Sequence, residues 1–83
     1  MADETHVLET IRTIARSELE LERTIHPSDD LLADLGLDSL GLTVLAVGLE
    51  NRYRVKLSQE DALGIRTVAD LAALVARRTE ASA

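Results

Sequence analysis

The chain contains no cysteine, no tryptophan and no phenylalanine; its one aromatic residue is Tyr53 and its one proline Pro27. Without cysteine, neither a disulfide frame nor a thiolate metal site is available. His6 and His26 lie too far apart for a recognisable metal spacing, so no metal site is expected. No apolar run approaches the roughly 20 residues that cross a bilayer. The opening Met1-Ala2-Asp3-Glu4 is acidic and polar, unlike a secretory leader. Repeats, low-complexity segments and strand-like alternation are missing too. These absences predict an all-α, cytoplasmic domain with no membrane span, and a monomer as the default state.

Eighty-three residues make one small domain, 1–83, and 46% of them are hydrophobic, almost all aliphatic. Stability must then come from packed helices alone, and should be modest. Net charge is −6 and unevenly spread: residues 1–38 hold ten acids and three arginines, net −7, whereas residues 39–83 hold five acids and six bases, net +1. Such a chain repels nucleic acid, whose binders cluster Lys and Arg, and suits basic protein partners.

Along the chain, Val7, Leu8, Ile11, Ile14, Ala15 and Leu19 recur at helical spacing. They predict a first helix from about residue 4 to 19, capped by Asp3 or Thr5. Glu18 falls inside the apolar stripe, so the last turn should fray or face outward. His6 reads as a solvated first-turn residue. From Leu21 to Asp38 the pattern breaks: His26-Pro27 favours extended backbone and Ser28-Asp29-Asp30 is turn chemistry. Leu31, Leu32, Leu35 and Leu37 should pin this long loop across the bundle. Loops of that length in small domains usually serve a purpose.

A second helix is expected from Ser39 to Tyr53 or Arg54. Leu42, Leu45, Ala46, Leu49 and Tyr53 project from one face, and Leu40, Val44 and Val47 from nearly the opposite face. One stripe suffices to join a core; the second means either a helix buried on both sides, with Val44 and Val47 packed under the long loop, or a core face plus a docking face. The docking reading is preferred because burial on both sides is hard to arrange in so small a chain. Ser58-Gln59-Glu60-Asp61 resembles a capping box and opens a short helix closed near Gly64. Thr67-Val68-Ala69-Asp70 repeats that signature and opens a last helix to about Arg78, with Val68, Leu71, Ala72 and Val75 inward. Thr79 to Ala83 should be a frayed tail.

The stretch Leu35-Gly36-Leu37-Asp38-Ser39-Leu40 organises the rest. Asp38 is placed to cap the second helix, which puts Ser39 in its first turn, at the positive end of the helix dipole. A phosphate ester there sits in a favourable field. In a short, acidic, helical chain this stretch resembles the Asp-Ser-Leu motif of the acyl carrier protein family. Ile65-Arg66-Thr67-Val68-Ala69-Asp70-Leu71 resembles the family's lead into its last helix, and Glu50-Asn51-Arg52-Tyr53 the end of its second. The resemblance covers nearly the whole chain.

It implies a four-helix carrier-protein bundle, three long helices and one short, with a long loop after the first. It implies a carrier rather than an enzyme, with Ser39 bearing 4′-phosphopantetheine taken from coenzyme A by a phosphopantetheinyl transferase and Mg²⁺; the start at Met1 and the polar tail favour a free-standing protein over an excised domain. Asp38 would cap the helix and face the transferase and its metal. The arm's thiol would hold acyl or aminoacyl groups as thioesters for loading enzymes, synthases and transferases. Fatty acid, polyketide and nonribosomal peptide pathways all remain open, and a cargo chain could be sheltered between the second and third helices. The helix-two face departs from carriers of fatty acid synthesis, which present several acids. Here it reads Leu40, Val44 and Val47, with Glu50 the only acid. That departure points to an apolar docking patch with a mixed-charge rim, and to a specialised pathway. The competing reading is a helical interaction module that uses the Leu40/Val44/Val47 face, with Ser39 only a cap. A serine hydrolase is the weakest: there is no Gly-x-Ser-x-Gly elbow, and only His6 and His26 could act as base.

Overall fold

The computed structural model describes residues 3–82. It is all-helical, with three fifteen-residue helices, α1 (Glu4–Glu18), α2 (Ser39–Tyr53) and α4 (Val68–Ser82), and a five-residue helical segment, α3 (Gln59–Leu63). The described residues contain no strand, only an isolated antiparallel bridge between Asp30 and Thr67.

α1 starts where Asp3 Oδ1 accepts the His6 amide at 2.8 Å, which relieves one of the helix's orphan donors. Val7, Ile11, Ile14 and Ala15 are buried. The helix stops at Glu18, which is exposed, and the chain turns through a left-handed Glu20 at φ 55°. α1 packs against both α4 and α2. Against α2 it runs antiparallel. Tyr53 Oη lies 2.7 Å from both His6 Nδ1 and Thr10 Oγ1. The His6 and Tyr53 rings meet edge-on at 5.7 Å. One turn and a half along, a Cβ on Gly48 would come within 2.9 Å of Ile14 Cδ1. The small residue therefore sets how closely the two helices approach. His6 is exposed as expected, yet it is a partner of the only tyrosine.

The long loop is stapled rather than loose. Leu31 N donates to Arg66 O and Val68 N to Asp29 O, both at 3.0 Å. Asp30 is the hub: Oδ1 accepts from the amides of Leu32 and Ala33, and Oδ2 pairs with Arg66 Nε at 3.0 Å. The Ala33 amide first, then Arg66, holds the Asp30 carboxyl below the usual carboxylate range. Leu31, Leu35 and Leu37 are buried as anchors. Leu32 is not one: it is 56% exposed. Residues 31–35 form a turn, so Leu31 and Leu35, four apart, share a side and Leu32 points away from it.

Both predicted capping boxes form. Ser58 N donates to Asp61 Oδ2 and Asp61 N to Ser58 Oγ; Thr67 and Asp70 exchange the same pair of bonds at 3.1 Å. The Ser58 amide lowers the Asp61 carboxyl, helped by the Ser58 hydroxyl and Arg78, and the Thr67 and Arg66 amides lower that of Asp70. In α4 the buried set includes the expected Val68, Leu71, Ala72 and Val75, and adds Leu74 and Ala76. α4 also runs past Arg78 to Ser82 instead of fraying at Thr79, whose Oγ1 bonds Val75 O at 2.8 Å. Ala83, the end of the expected tail, and Met1 and Ala2 lie outside the described residues.

Candidate functional site

The site is built at the start of α2. Gly36 takes a left-handed backbone, φ 69°, a conformation a side chain would resist. It turns the loop so that Leu37 enters the core and Asp38 meets the helix. Asp38 Oδ1 accepts from Gly41 N at 2.8 Å and Asp38 O from Leu42 N at 2.9 Å, so Asp38 is the N-cap. Ser39 is the first helical residue and is exposed. Its carbonyl accepts from Thr43 Oγ1; its own hydroxyl is bonded to nothing among the described residues. Gly41 is buried behind it, where a Cβ would press on Leu37 Cδ2 at 3.2 Å and Asp38 Oδ1 at 3.4 Å.

α2 is held inward by Gly41, Leu45 and Leu49. On the outside Leu40 is 72% and Val47 45% exposed, while Val44 is half-buried. Two grooves flank the helix. One, about 260 Å³, lies between α2, α3 and α4 and is lined by Leu42, Ala46, Val47, Leu57, Ile65 and Leu71 among others. The other, about 350 Å³, lies between α1 and α2 and includes Ile14, Val44, Val47 and Gly48. Thr43 and Val47 form the ridge common to both. Ile65 and Leu71 line the first groove, whereas Leu45 and Leu49 are closed inside the core. Glu50 is not a free surface acid: its Oε2 accepts from Leu57 N at 2.9 Å and fastens the chain leading into α3. Leu63, 88% exposed on α3, has no sequence signal that sets it apart from a core leucine.

The local chemistry suits a group esterified to Ser39. The hydroxyl is open to solvent, and the α2 N-terminus favours a phosphate's charge. Neither His6 nor His26 is hydrogen-bonded to Ser39; His6 is at the far end of α2, beside Tyr53. The described residues hold no cluster of His, Asp or Glu fit for a metal, and no helix is long and apolar enough to cross a membrane. A lone serine without a base is a poor nucleophile.

Comparison with known proteins gives the family. Residues 9–75 match the family model described as the phosphopantetheine attachment site. The chain is 35% identical over 74 residues to the meromycolate extension acyl carrier protein of Mycobacterium bovis, covering 89% of this chain and 59% of that protein. To the acyl carrier protein MbtL of Mycolicibacterium paratuberculosis it is 36% identical over 74 residues, 88% of this chain and 83% of the relative. A solved chain from Mycobacterium tuberculosis assigned as an acyl carrier protein superposes with a TM-score of 0.70 at 36% identity, covering 77% of this chain and 86% of that one. This chain thus spans less than two thirds of the meromycolate relative and most of the other two. Members of this family are carriers rather than enzymes, and their prosthetic group is covalent 4′-phosphopantetheine. The chain belongs to the phosphopantetheine-attachment family, that of the acyl carrier proteins.

Proposed function

We propose that Ser39 is the attachment residue and that the protein carries acyl intermediates for a specialised biosynthetic pathway. One observation carries this reading: the hydroxyl of Ser39 is exposed and unbonded at the head of an Asp-capped helix. Asp38 orders the first turn and lies on the side that a phosphopantetheinyl transferase and its metal would approach. When bound, the arm supplies a thiol that holds acyl groups as thioesters, and its tether raises their effective concentration at partner enzymes. On this reading the five-residue α3 is the fourth helix of the carrier bundle, and the chain acts as a monomer in the cytoplasm.

Leu40, Val44 and Val47 would form the docking patch for synthases, transferases and the loading enzyme, with Glu50 contributing through its hold on the α2–α3 connection. The names of the relatives, meromycolate extension among them, favour acyl over aminoacyl cargo. The groove between α2, α3 and α4 is the place for such a chain to shelter.

The test of the first claim is intact mass after incubation with coenzyme A, Mg²⁺ and a broad-specificity transferase. A gain of one phosphopantetheine unit, absent in Ser39→Ala, is expected; a folded chain that gains nothing leaves α2 as an interaction surface only. For docking, affinity for a partner should survive rising salt, and a collapse would mark an electrostatic contact instead. For shelter, core methyl NMR signals of the acylated form should differ from those of the form with a free thiol.

A further inference from the structure

Residues 1–38 carry three arginines, Arg12, Arg16 and Arg23, and no lysine, and all three arginines line one recess. It lies between α1 and the loop after it and is completed by Leu21, Glu22, Thr24 and Ile25. In the more acidic part of the chain, every arginine has been gathered at one place.

The bonds these arginines make leave much of their charge uncompensated. Arg12 donates through Nε and Nη2 to Ile25 O, at 3.0 and 2.8 Å, and through Nη1 to Glu9. Arg23 Nη1 donates to Asp34 O. Backbone carbonyls fix a guanidinium in place without neutralising it. Arg12 has a carboxylate partner in Glu9, 64% exposed, whereas Arg16 and Arg23 have none among the described residues. Arg16 in the last turn of α1 complements that helix's dipole, but this leaves its fork of donors open. Glu22 is the only acid in the lining.

We propose that this recess is an anion site for a phosphate group, independent of Ser39. Its volume, about 150 Å³, is half the lower bound of about 300 Å³ for small-molecule pockets. A compact oxyanion therefore suits it better than a whole nucleotide. Arginine forks match phosphate oxygens bidentately. A tetrahedral group can accept from α1 on one side and from the loop on the other, which a planar carboxylate does less well. Arg12 and Arg23 are already positioned by the carbonyls they hold, so binding has only Arg16 to order.

The test is a titration of the full chain carrying Ser39→Ala, followed by amide and arginine Nε NMR signals, with inorganic phosphate, acetate and chloride at matched ionic strength. Expected are saturable shifts confined to residues 12–25 with phosphate and absent with the other two. Arg16→Gln, which breaks no bond of the fold, should weaken the affinity about tenfold or more, the scale of a charge-assisted bond. Arg77→Gln, which removes the same charge from α4, should leave it unchanged. Adenosine 3′,5′-bisphosphate separates the possible sources. Binding equal to that of phosphate assigns the free group, and tighter binding assigns a phosphate monoester on a larger molecule. No saturable shift, acetate binding as well as phosphate, or Arg16→Gln titrating like its parent would each overturn the proposal.

Discussion

α1 and α2 have the same length and share an antiparallel seam, yet they use their side chains in opposite ways. α1 buries Val7, Ile11, Ile14 and Ala15 and exposes Glu4, Glu9, Arg16 and Glu18. α2 has only Glu50 and Arg52 for charges. It buries Leu45 and Leu49 while leaving Leu40 and Val47 in water. A helix that serves only the core gains nothing from apolar residues on its outer side, and Gly41, Gly48 and the β-branched residues weaken α2 further as a helix. α1 has the composition of a structural strut. α2 has that of the docking surface proposed above, with Leu40 and Val47 left in water.

The sharpest break in this comparison is Ser39→Ala. It should abolish the mass gain with transferase and coenzyme A, while stability stays within about 0.5 kcal/mol, as for any unbonded surface residue. Ile11→Ala does the reverse: 0% exposed in the native state, it should cost about 2–5 kcal/mol in urea denaturation and leave the attachment chemistry alone. Acid attacks the staples of the loop and of the starts of α3 and α4. The carboxyls of Asp30, Asp61 and Asp70 are lowered from 3.8 in the folded chain. Their stabilisation is thus complete above that unfolded value and is lost as pH falls through the lower folded ones. Tm should decline once pH drops below about 4; a Tm indifferent to pH between 5 and 2.5 would contradict these bonds. Gly48→Ala probes the seam itself. Helix propensity favours it by about 1 kcal/mol, but overpacking costs about 1–3, for a net loss of about 1. Ile14→Val removes the very carbon the new methyl meets, so the double variant should be more stable than the sum of the singles. Smallest on stability are Leu40→Ala and Val47→Ala, at most about 0.5 kcal/mol each; their effect should appear instead as weaker capture by partner enzymes.

Local chemistry was legible in the sequence. The Asp3 and Asp38 caps, the boxes at Ser58 and Thr67 and the stripe of α1 depend on residues three or four apart, and each is found where spacing puts it. What spacing could not show is what meets across the fold. His6 read as merely solvated, because its partner Tyr53 is 47 residues away. Leu32 read as an anchor, because four leucines in one loop look alike until the turn at 31–35 sorts them. Glu50 read as a surface acid, although the Leu57 amide claims it. Ser39 itself, its cap and its exposure were visible, since they need nothing beyond the first turn of one helix.

The register of α1 on α2 has a mechanical consequence. With Tyr53 fastened to His6 and Thr10, and Gly48 seated on Ile14, α1 is nearly used up by the level of Val44, where Glu18 ends it. The first turn of α2 therefore lies beyond α1 and is backed instead by the loop, where Leu37 stands behind the buried Gly41. The end of α2 that meets α1 carries the aromatic clasp; the opposite end carries Ser39. On the attachment proposed above, a group on Ser39 would stand clear of α1, so partners of different shape would reach it without displacing that helix.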